Sequence, residues 1–555
     1  MSWAAIAETK RMLAREQGAV IKDWGGKLPI ALVYPNSYYV GMSSLAVATL
    51  YRMLNARSDI ACERVFCGYR TPQGHGVPLS IETQRPLNEF ALLAVSFSFE
   101  LDYFNFVSLL RNAGIPALAT ERSQAGPLIL AGGPAVSANP EPLAGLCDAF
   151  MIGEVEQVLP QLMDTLCDGI GGDRQDLLCD LTRVPGVYVP ALTLAAEHAA
   201  SVQATRSDPV SAVPSREPRI ERQWVRDLDA YPTHTSVCTR ATEFGDLYLM
   251  EIARGCAHGC RFCLAGCIYR PVRERSPKAL LEQARLGKAL RSRVGLVSAA
   301  VSDYSRIEEL VEGLRGMGLG ISVSSLRVDP LPEPLLDALV EGGTRTLTIA
   351  PEAGSERLRK AINKRINHQD ILNAAQRASL HGFPELKLYF MLGLPGEEDE
   401  DVQAIVDLVT EITGVFRGRV LASVAPFVPK PHTAFERQAQ AGEDTLRRRL
   451  RTLQAGLRTL NVRMSSESVP WARVQAVLAR GDRRLASVLA SLQTPSISNW
   501  ESSLRERGLS SQDWTQARSP TEPLPWDFVR TGVGHSARQP KNKSPDGMHS
   551  HIPAC

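Results

Sequence analysis

The sequence predicts an α/β protein with two consecutive strand–helix domains, and three observations lead to that prediction. Residues 28–167 and again residues 247–425 alternate short apolar strands with amphipathic helices, which is the pattern of parallel sheets. The stretch 191–238 between them has no steady periodicity and contains four prolines, which predicts a partly extended linker. With 555 residues, the chain is also too long for one ordinary domain.

The first domain, residues 1–190, is expected to be a doubly wound parallel sheet. Such sheets bind their ligands at the carboxyl ends of the strands. The expected strands are 28–33, 91–98, 128–131 and 149–152, and the expected helices are 43–54, 103–112 and 154–167. The carboxyl ends of the first three strands carry the runs Tyr34-Pro35-Asn36, Ser96-Phe97-Ser98 and Gly132-Gly133. We therefore expect these runs to line a ligand site.

Three cysteines with the spacing C-x3-C-x2-C, Cys256, Cys260 and Cys263, follow the first strand of the second domain. Three thiolates can hold three irons of a cubane cluster and leave the fourth iron open for chemistry. Gly255 and Gly259 allow the backbone to fold closely around such a cluster, because glycine has no Cβ. The spacing therefore predicts an iron–sulfur site.

Two other interpretations of the same cysteines stay open. A structural zinc site needs four ligands, for which Cys267 and His258 are the nearby candidates, although no second paired element follows. A closed cluster that uses Cys267 as its fourth ligand would belong to an electron-transfer or sensor protein. Cys267 also stands one helical turn after Cys263, where a small packed side chain would fit.

The cysteine run, with Phe262 just before its last cysteine, resembles that of the radical S-adenosylmethionine (SAM) enzymes. The resemblance implies an enzyme with a [4Fe-4S] cluster on these three cysteines and SAM on the open iron. It implies reductive cleavage of SAM to a 5′-deoxyadenosyl radical, which abstracts hydrogen from a substrate that the sequence does not identify. A flavodoxin- or ferredoxin-type reductant would supply the electron.

The resemblance also implies that residues 239–440 form a partial (β/α)6 TIM-type barrel. Six strands are expected, at 247–253, 294–300, 320–325, 344–350, 385–392 and 419–425. Active groups in parallel barrels lie at the carboxyl rim of the strands. Beside Phe262 near the cluster, that rule selects a set of SAM-binding candidates: Ser302, Ser325, Arg327, Glu352, Gly393 and Pro395. A structural ion pair for Arg327 and a helix cap for Glu352 are the alternatives.

Ser302-Asp303 occupy the position where the family commonly has a Gly-Gly-Glu turn for the SAM amino group, and they are the substitutes we expect. No catalytic residue is identified by the sequence. Lys430 and His432, in a proline-stiffened run after the sixth strand, are candidates for substrate contact or proton transfer. The alternative is a rigid loop with exposed polar groups.

The first domain resembles the cobalamin-binding domain that precedes the radical core in many family members. Ser96, Ser98 and the pair Gly132-Gly133 match its serine and glycine motifs, but its D-x-H-x-x-G loop is absent. Segments such as Ala350-Pro-Glu-Ala-Gly-Ser-Glu356 resemble one group of such proteins whose substrate is not established. Cobalamin would favour methyl transfer to an unactivated carbon. The alternative is a domain that has lost corrin binding and only helps to hold substrate.

The last part of the chain is expected to be a small helical region, 441–515, followed by a tail, 516–555. The segment Pro523-Leu-Pro-Trp-Asp-Phe528 is a candidate for local docking, and the rest of the tail is expected to be disordered. A helix with an apolar leucine stripe from Leu446 to Leu460 carries many arginines, which fits either a solvated, ion-paired face or an RNA-binding one. An RNA-modifying, methylthiotransferase-like enzyme is therefore a second possibility. The net charge of +2 does not favour nucleic acid, and the lack of a signal peptide or apolar span predicts a cytoplasmic protein without a membrane contact.

Overall fold

The computed structural model describes residues 3–68, 70–71, 74–193 and 219–532. Nineteen strands, β1 to β19, lie in these ranges. In chain order they are Leu28–Val33, Ile60–Val65, Arg70–Thr71, Gly74–His75, Leu92–Ser96, Leu128–Gly132, Ala149–Met151, Val187–Tyr188, Ile220–Glu221, Leu247–Glu251, Ala253–Arg254, Arg273–Glu274, Arg293–Val297, Gly320–Val323, Thr346–Glu352, Glu385–Leu392, Arg419–Pro426, Arg463–Ser466 and Val529–Arg530.

The α-helices of the same ranges are referred to by their residues. Several begin at a serine whose side chain accepts a backbone N–H, as at Ser44 and Ser276. They are Trp3–Leu13, Tyr38–Gly41, Leu45–Ala56, Asp102–Asn112, Pro134–Ala138, Leu159–Gly169, Arg174–Leu181, Ala265–Ile268, Pro277–Lys288, Ile307–Gly316, Glu333–Glu341, Glu356–Ala361, His368–Leu380, Asp399–Val415, Glu443–Thr459, Val469–Arg480, Leu485–Ser491, Ile497–Glu506 and Gln512–Thr515.

The first domain is a six-stranded sheet with the order β2-β1-β5-β6-β7-β8. Its first five strands are parallel and β8 is antiparallel to β7, so the doubly wound prediction is confirmed. Strand β2 was not expected from the sequence because Glu63 and Arg64 interrupt its apolar pattern. Both side chains are nevertheless buried, since Trp24 donates to Glu63 and Arg64 pairs with Glu16 and Glu82.

The second domain contains two parallel sheets, β10-β13-β14 and β15-β16-β17-β18. A parallel bridge from Leu326 to Ile349 joins them into an open row, which is the partial barrel that the family resemblance implied. The structure adds a seventh strand, β18, to the six that were expected. Its sequence Arg463-Met-Ser-Ser466 has no apolar alternation, and β18 is recognised only by its pairing with β17.

The C-terminal part differs from the expected separate helical region. The helix Glu443–Thr459 buries Leu446, Leu453 and Leu457 in the barrel core. The following helices instead pack on one face of the first-domain sheet, where Val477 and Trp500 join a shared core. The chain thus returns to its first domain after completing the barrel.

The tail packs on the protein at the candidate segment 523–528 and also beyond it, where disorder was expected. Strand β19 pairs in parallel with β9 of the linker, and Trp526 is fully buried with its indole N–H donating to Glu436. The remainder of the expected tail, 533–555, and the linker residues 194–218 lie outside the described residues. Within the part of the chain that the structure describes, no helix has the length and apolar character of a membrane span.

Candidate active site at the cysteine loop

The cysteine loop leaves the carboxyl end of strand β10, at the rim where parallel barrels carry their active groups. Strands β11 and β12 pair in antiparallel fashion and close the loop at its base. Gly255 has a φ of +99°, and a Cβ placed there would lie 2.5 Å from the carbonyl oxygen of Tyr269. Glycine is therefore required at the point where the loop turns towards the three cysteines.

Side chains from two directions hold the backbone of the loop. Arg270 donates from Nε to the carbonyl of Cys256 at 3.3 Å and from Nη2 to that of Ala257 at 3.1 Å. Asn363 donates from Nδ2 to the carbonyl of Gly259 at 2.8 Å. The backbone N–H of Arg261 donates to the carbonyl of Ile362 at 3.0 Å. These bonds satisfy the loop's carbonyl groups and fix where its thiols lie.

The three thiols are half-buried and form no disulfide. Burial raises the pKa of Cys263, although the backbone N–H of Gly266 acts in the opposite direction. Burial also raises the pKa of Cys260, against the charges of Lys364 and Arg327. Nearby cations and N–H donors of this kind favour thiolate, which is the form that binds metal.

The donor set fits a cluster better than a single ion. In the described ranges, no three His, Cys, Asp or Glu side chains come together closely enough to hold one metal ion. An inorganic cubane keeps its cysteine sulfurs farther apart than one tetrahedral ion does. The glycine turn at Gly255 and the half-buried thiols provide the close approach that a cluster needs.

The two extra ligand candidates have other contacts. The thiol of Cys267 lies 3.6 Å from the carbonyl oxygen of Cys263, one helical turn back. The imidazole Nε2 of His258 bonds to a carboxylate oxygen of Asp303. Both contacts favour the three-cysteine interpretation over the zinc site and the closed cluster.

Three of the predicted SAM contacts lie around this loop. Ser302 is buried, and its hydroxyl has no hydrogen-bond partner among the described residues. Asp303 bonds to His258 through one oxygen, and its other oxygen is 3.6 Å from Nε of Arg327. Ser302 and Arg327 thus come together beside the cluster loop, with Asp303 between His258 and Arg327.

Glu352 ends strand β15 in an unusual backbone conformation. Its φ is +69°, and the register between β15 and β16 shifts at this residue. Lys364 donates to Oε1 of Glu352 at 3.1 Å, and burial raises the pKa of Glu352 against that charge. Non-glycine residues with positive φ are costly and cluster at functional sites. Glu352 does not cap the next helix, which begins with Ser355 as its N-cap.

The other predicted SAM contacts are Phe262, Gly393, Ser325 and Pro395. Phe262 joins an apolar cluster with Leu394 and Phe427, so it shields one side of the loop. Gly393 has a φ of +81° and donates its N–H to the buried Glu397, which Arg449 also binds. Ser325 and Pro395 are half-buried at the ends of β14 and β16.

The structure places Lys430 and His432 at the domain boundary, each bonded to a residue of the first domain. Lys430 donates to Oε1 of Glu100, and Gln475 donates to the other oxygen of that carboxylate. His432 is buried and bonds through Nε2 to the carbonyl of Ala138. These contacts show that both side chains help to dock the two domains, and their role in substrate contact or proton transfer stays a prediction.

Sequence reasoning missed Asn363 and Lys364, which hold the cysteine loop and Glu352. One signal was available: residues 357–366 contain five Arg or Lys and no Asp or Glu, directly after the fourth barrel strand. The role of Arg270 had no such signal, because its contact depends on the folding of the loop.

A cavity of about 460 Å³ separates the two domains and reaches the cysteine loop. Its first-domain wall includes Ser96, Gly132 and Gly133 at the carboxyl edge of the sheet. Its barrel wall includes Gly255 and Tyr269. The walls are mainly apolar, and the buried hydroxyl of Thr49 on them has no partner among the described residues. The expected ligand edge of the sheet therefore faces the part of the barrel that carries the cysteine loop.

Charged residues cross the boundary beside that cavity. Arg273 binds both oxygens of Glu154 at 2.8 Å, and Arg254 contacts Glu154, Glu156 and Glu251 at 2.9 Å each. Burial alone would raise the pKa of Glu154, but the bonds from Arg273 hold it below its ordinary value. The residue before Gly255 is thus tied to the first domain by buried ion pairs.

The fold and site define a class of protein in which a barrel carries a three-cysteine loop at its rim and follows an N-terminal sheet domain. Two family models match: "Radical SAM proteins, N-terminal" over residues 46–190, and "Radical SAM superfamily" over residues 250–409. An uncharacterised protein of Methanocaldococcus jannaschii is 31% identical over 84% of this chain and 91% of its own length. The chain belongs to the radical SAM superfamily, and it is an enzyme.

Other similar proteins share less. A tRNA-2-methylthio-N(6)-dimethylallyladenosine synthase of a Jannaschia species is 26% identical over 44% of this chain and 54% of its own length. The cobalamin-dependent radical SAM enzyme OxsB, solved with aqua-cobalamin, is 16% identical with a TM-score of 0.45, over 69% of this chain and 52% of that one. This chain therefore spans about half the length of each of these two proteins.

Proposed function

We propose that this enzyme binds a [4Fe-4S] cluster through Cys256, Cys260 and Cys263 and binds SAM at the iron left open. The observation that carries the proposal is a convergence of groups. The three half-buried thiols share the carboxyl rim of the barrel with Asp303, Arg327 and Glu352. When bound, this cofactor pair supplies a hydrogen-abstracting radical, and the protein's part is to position it and to exclude water.

The polar residues around the loop match the groups of SAM. Asp303 can accept from the methionyl ammonium, and Arg327 can pair with the carboxylate through two N–H donors. Glu352, held by Lys364, can accept from the ribose hydroxyls. Because Lys364 and Arg327 also lie close to Cys260, they offset the negative charge that thiolates bring to the site.

We further propose that cobalamin occupies the cavity between the domains. Support comes from the place of the cavity at the carboxyl edge of the first-domain sheet, whose parallel strands have the order β2-β1-β5-β6-β7. The apolar walls of the cavity and the glycine pair Gly132-Gly133 at its rim add to this support. The unpartnered hydroxyl of Thr49 is available to a polar atom of a ligand. No histidine lines the cavity in the described residues, so the protein would supply no histidine ligand to cobalt. A corrin there would supply methyl-transfer chemistry.

The RNA-modifying alternative gains little from the structure. Most of the arginines that suggested it are engaged: Arg448 and Arg449 bind Asp399, Arg447 binds Glu443, and Arg483 binds Glu141. Its remaining support is the 26% identity to the methylthio-forming tRNA synthase over less than half of this chain. We therefore favour a small-molecule or otherwise unidentified substrate.

An anaerobic assay tests the main proposal. The chain is reconstituted with iron and sulfide, reduced with dithionite and given SAM, and 5′-deoxyadenosine is measured with Cys260→Ala as the control. Product from the wild type alone is the expected result. A wild type that carries a full cluster yet forms no product and gives no spectral response to SAM would overturn it. Hydroxocobalamin retention after gel filtration tests the cavity separately.

A further inference from the structure

We infer that the outer face of the cysteine loop is the docking surface for an acidic, low-potential one-electron carrier protein. This inference rests on the proposed function, which requires an electron to reach the cluster. The surface consists of Arg261, Arg270, Lys360 and Arg365, and we call it the basic face.

The first argument is charge. Residues 256–271 and 357–366 together contain seven Arg or Lys and no Asp or Glu. Two of the seven are used inside the protein, since Arg359 is fully buried and Lys364 binds Glu352. Arg357 pairs with Asp401. The four residues of the basic face remain, and they are exposed or half-buried.

The second argument is that most of this charge is uncompensated. In the described ranges, Arg261, Arg270 and Arg365 form no ion pair with a carboxylate. Their polar contacts are instead the carbonyls of Ala361, Cys256 and Ala257, and the side-chain amide oxygen of Asn363. Only Lys360 has an acidic partner, the exposed Glu356 one helical turn away. Exposed cations whose charge is unpaired attract an acidic surface over about a Debye length.

The third argument is position. Arg270 contacts the carbonyl of a ligand cysteine, and Arg261 stands between two ligand cysteines. A partner on the basic face would therefore bring its redox group beside the cysteine loop, at residues that do not line the cavity. The carrier's reduced form gives up one electron and the cluster gains it, so no bond is made and no proton has to move.

The test uses the cluster-loaded full chain and a bacterial flavodoxin. The variant is Lys360→Glu with Arg365→Glu, because neither side chain contacts a loop carbonyl. The matched control is Arg451→Glu with Arg458→Glu, which makes the same charge change on exposed residues of the helix Glu443–Thr459. Binding of oxidised flavodoxin is measured by titration calorimetry at about 50 and about 300 mM salt. Cluster reduction is followed with flavodoxin and, separately, with dithionite.

We expect the basic-face variant to raise the Kd for flavodoxin by about tenfold or more at low salt, with the same loss in the rate of cluster reduction. Its reduction by dithionite should match that of the control variant. Equal binding by both variants, or an equal loss in both, would overturn the inference. Failure of wild-type SAM cleavage with dithionite would count against the proposed function instead, and the binding measurement would still decide the docking surface.

Discussion

Lys430 Nζ donates to Glu100 Oε1 at 2.5 Å, which links the loop after strand β17 to the first domain. The side chain of Glu100 is 5% exposed and that of Lys430 is 16% exposed, so this ion pair is largely removed from water. Removing one partner of such a pair leaves an uncompensated charge, which costs far more than an exposed pair would.

Lys430→Met should therefore reduce stability by about 3 kcal/mol. The double variant Lys430→Met with Glu100→Gln should recover part of that loss, since no buried charge is left alone. Urea unfolding of the wild type, the single variants Lys430→Met and Glu100→Gln, and the double variant measures the loss of stability and its partial recovery. If Lys430→Met kept wild-type stability but lost SAM-dependent activity, the residue would be catalytic after all.

Gly255→Ala should lower both cluster content and stability. The new Cβ would meet the Tyr269 carbonyl at 2.5 Å in a backbone conformation that alanine disfavours, at a cost of about 2 kcal/mol or more. Gly266→Ala, in the helix Ala265–Ile268 directly after the loop, is the control, because no atom outside its own helix and chain neighbours lies within 4 Å of the added Cβ. Iron per chain after reconstitution is the measurement. Equal iron content in the two variants would show that the turn at Gly255 is not needed for the cluster.

Glu352→Ala should weaken SAM binding by about tenfold, or about 1.4 kcal/mol, with cluster content unchanged. The reason is that Glu352 is an acceptor held at the barrel rim by Lys364 and by a strained backbone. Glu356→Ala removes an exposed carboxylate from the next helix and should bind SAM as the wild type does. Calorimetric titration with SAM compares the two, and an unchanged Kd for Glu352→Ala would remove the ribose contact from the account.

Stability should also respond to pH through Glu397. Burial raises the pKa of Glu397 to about 7 from an ordinary value of 4.5. The neutral carboxyl is therefore favoured in the folded state, and its contribution is full below pH 4.5 and lost as the pH rises through about 7. This loss is on the order of 3 kcal/mol. Glu397→Gln stays neutral, so its unfolding free energy should fall less over that interval, and identical pH profiles would contradict the assignment.

Much of the fold could be predicted from the sequence because it depends on local pattern. Strands β1 and β16 begin and end at the predicted residues. Strand β1 is an apolar run, β16 alternates buried with partly buried residues, and turn residues bound both. Strands β2 and β18 escaped prediction because their charged or polar residues find partners only in the folded protein.

The candidate site also combines features that depend on local sequence with features that depend on distant partners. The cysteine spacing is local, and the proposed cluster site rests on it. The strand ends of the sequence located Asp303, Arg327 and Glu352 at the rim, while their contacts to SAM stay predictions. The ion pair of Lys430 could not be predicted, because its partner, Glu100, is 330 residues away in the chain. The burial of Trp526 agrees with the docking candidate 523–528, whereas the pairing of β19 could not be predicted because its partner, β9, lies in the linker.

The most direct test of the central claim is the EPR spectrum of the reduced, reconstituted protein with and without SAM, in the wild type, Cys267→Ala and Cys260→Ala. An open iron held by three cysteines predicts a SAM-dependent change in the wild type and in Cys267→Ala, and loss of the intact [4Fe-4S] signal in Cys260→Ala. Loss of the cluster in Cys267→Ala, together with a wild-type signal that SAM does not alter, would contradict the account and indicate a closed four-cysteine cluster.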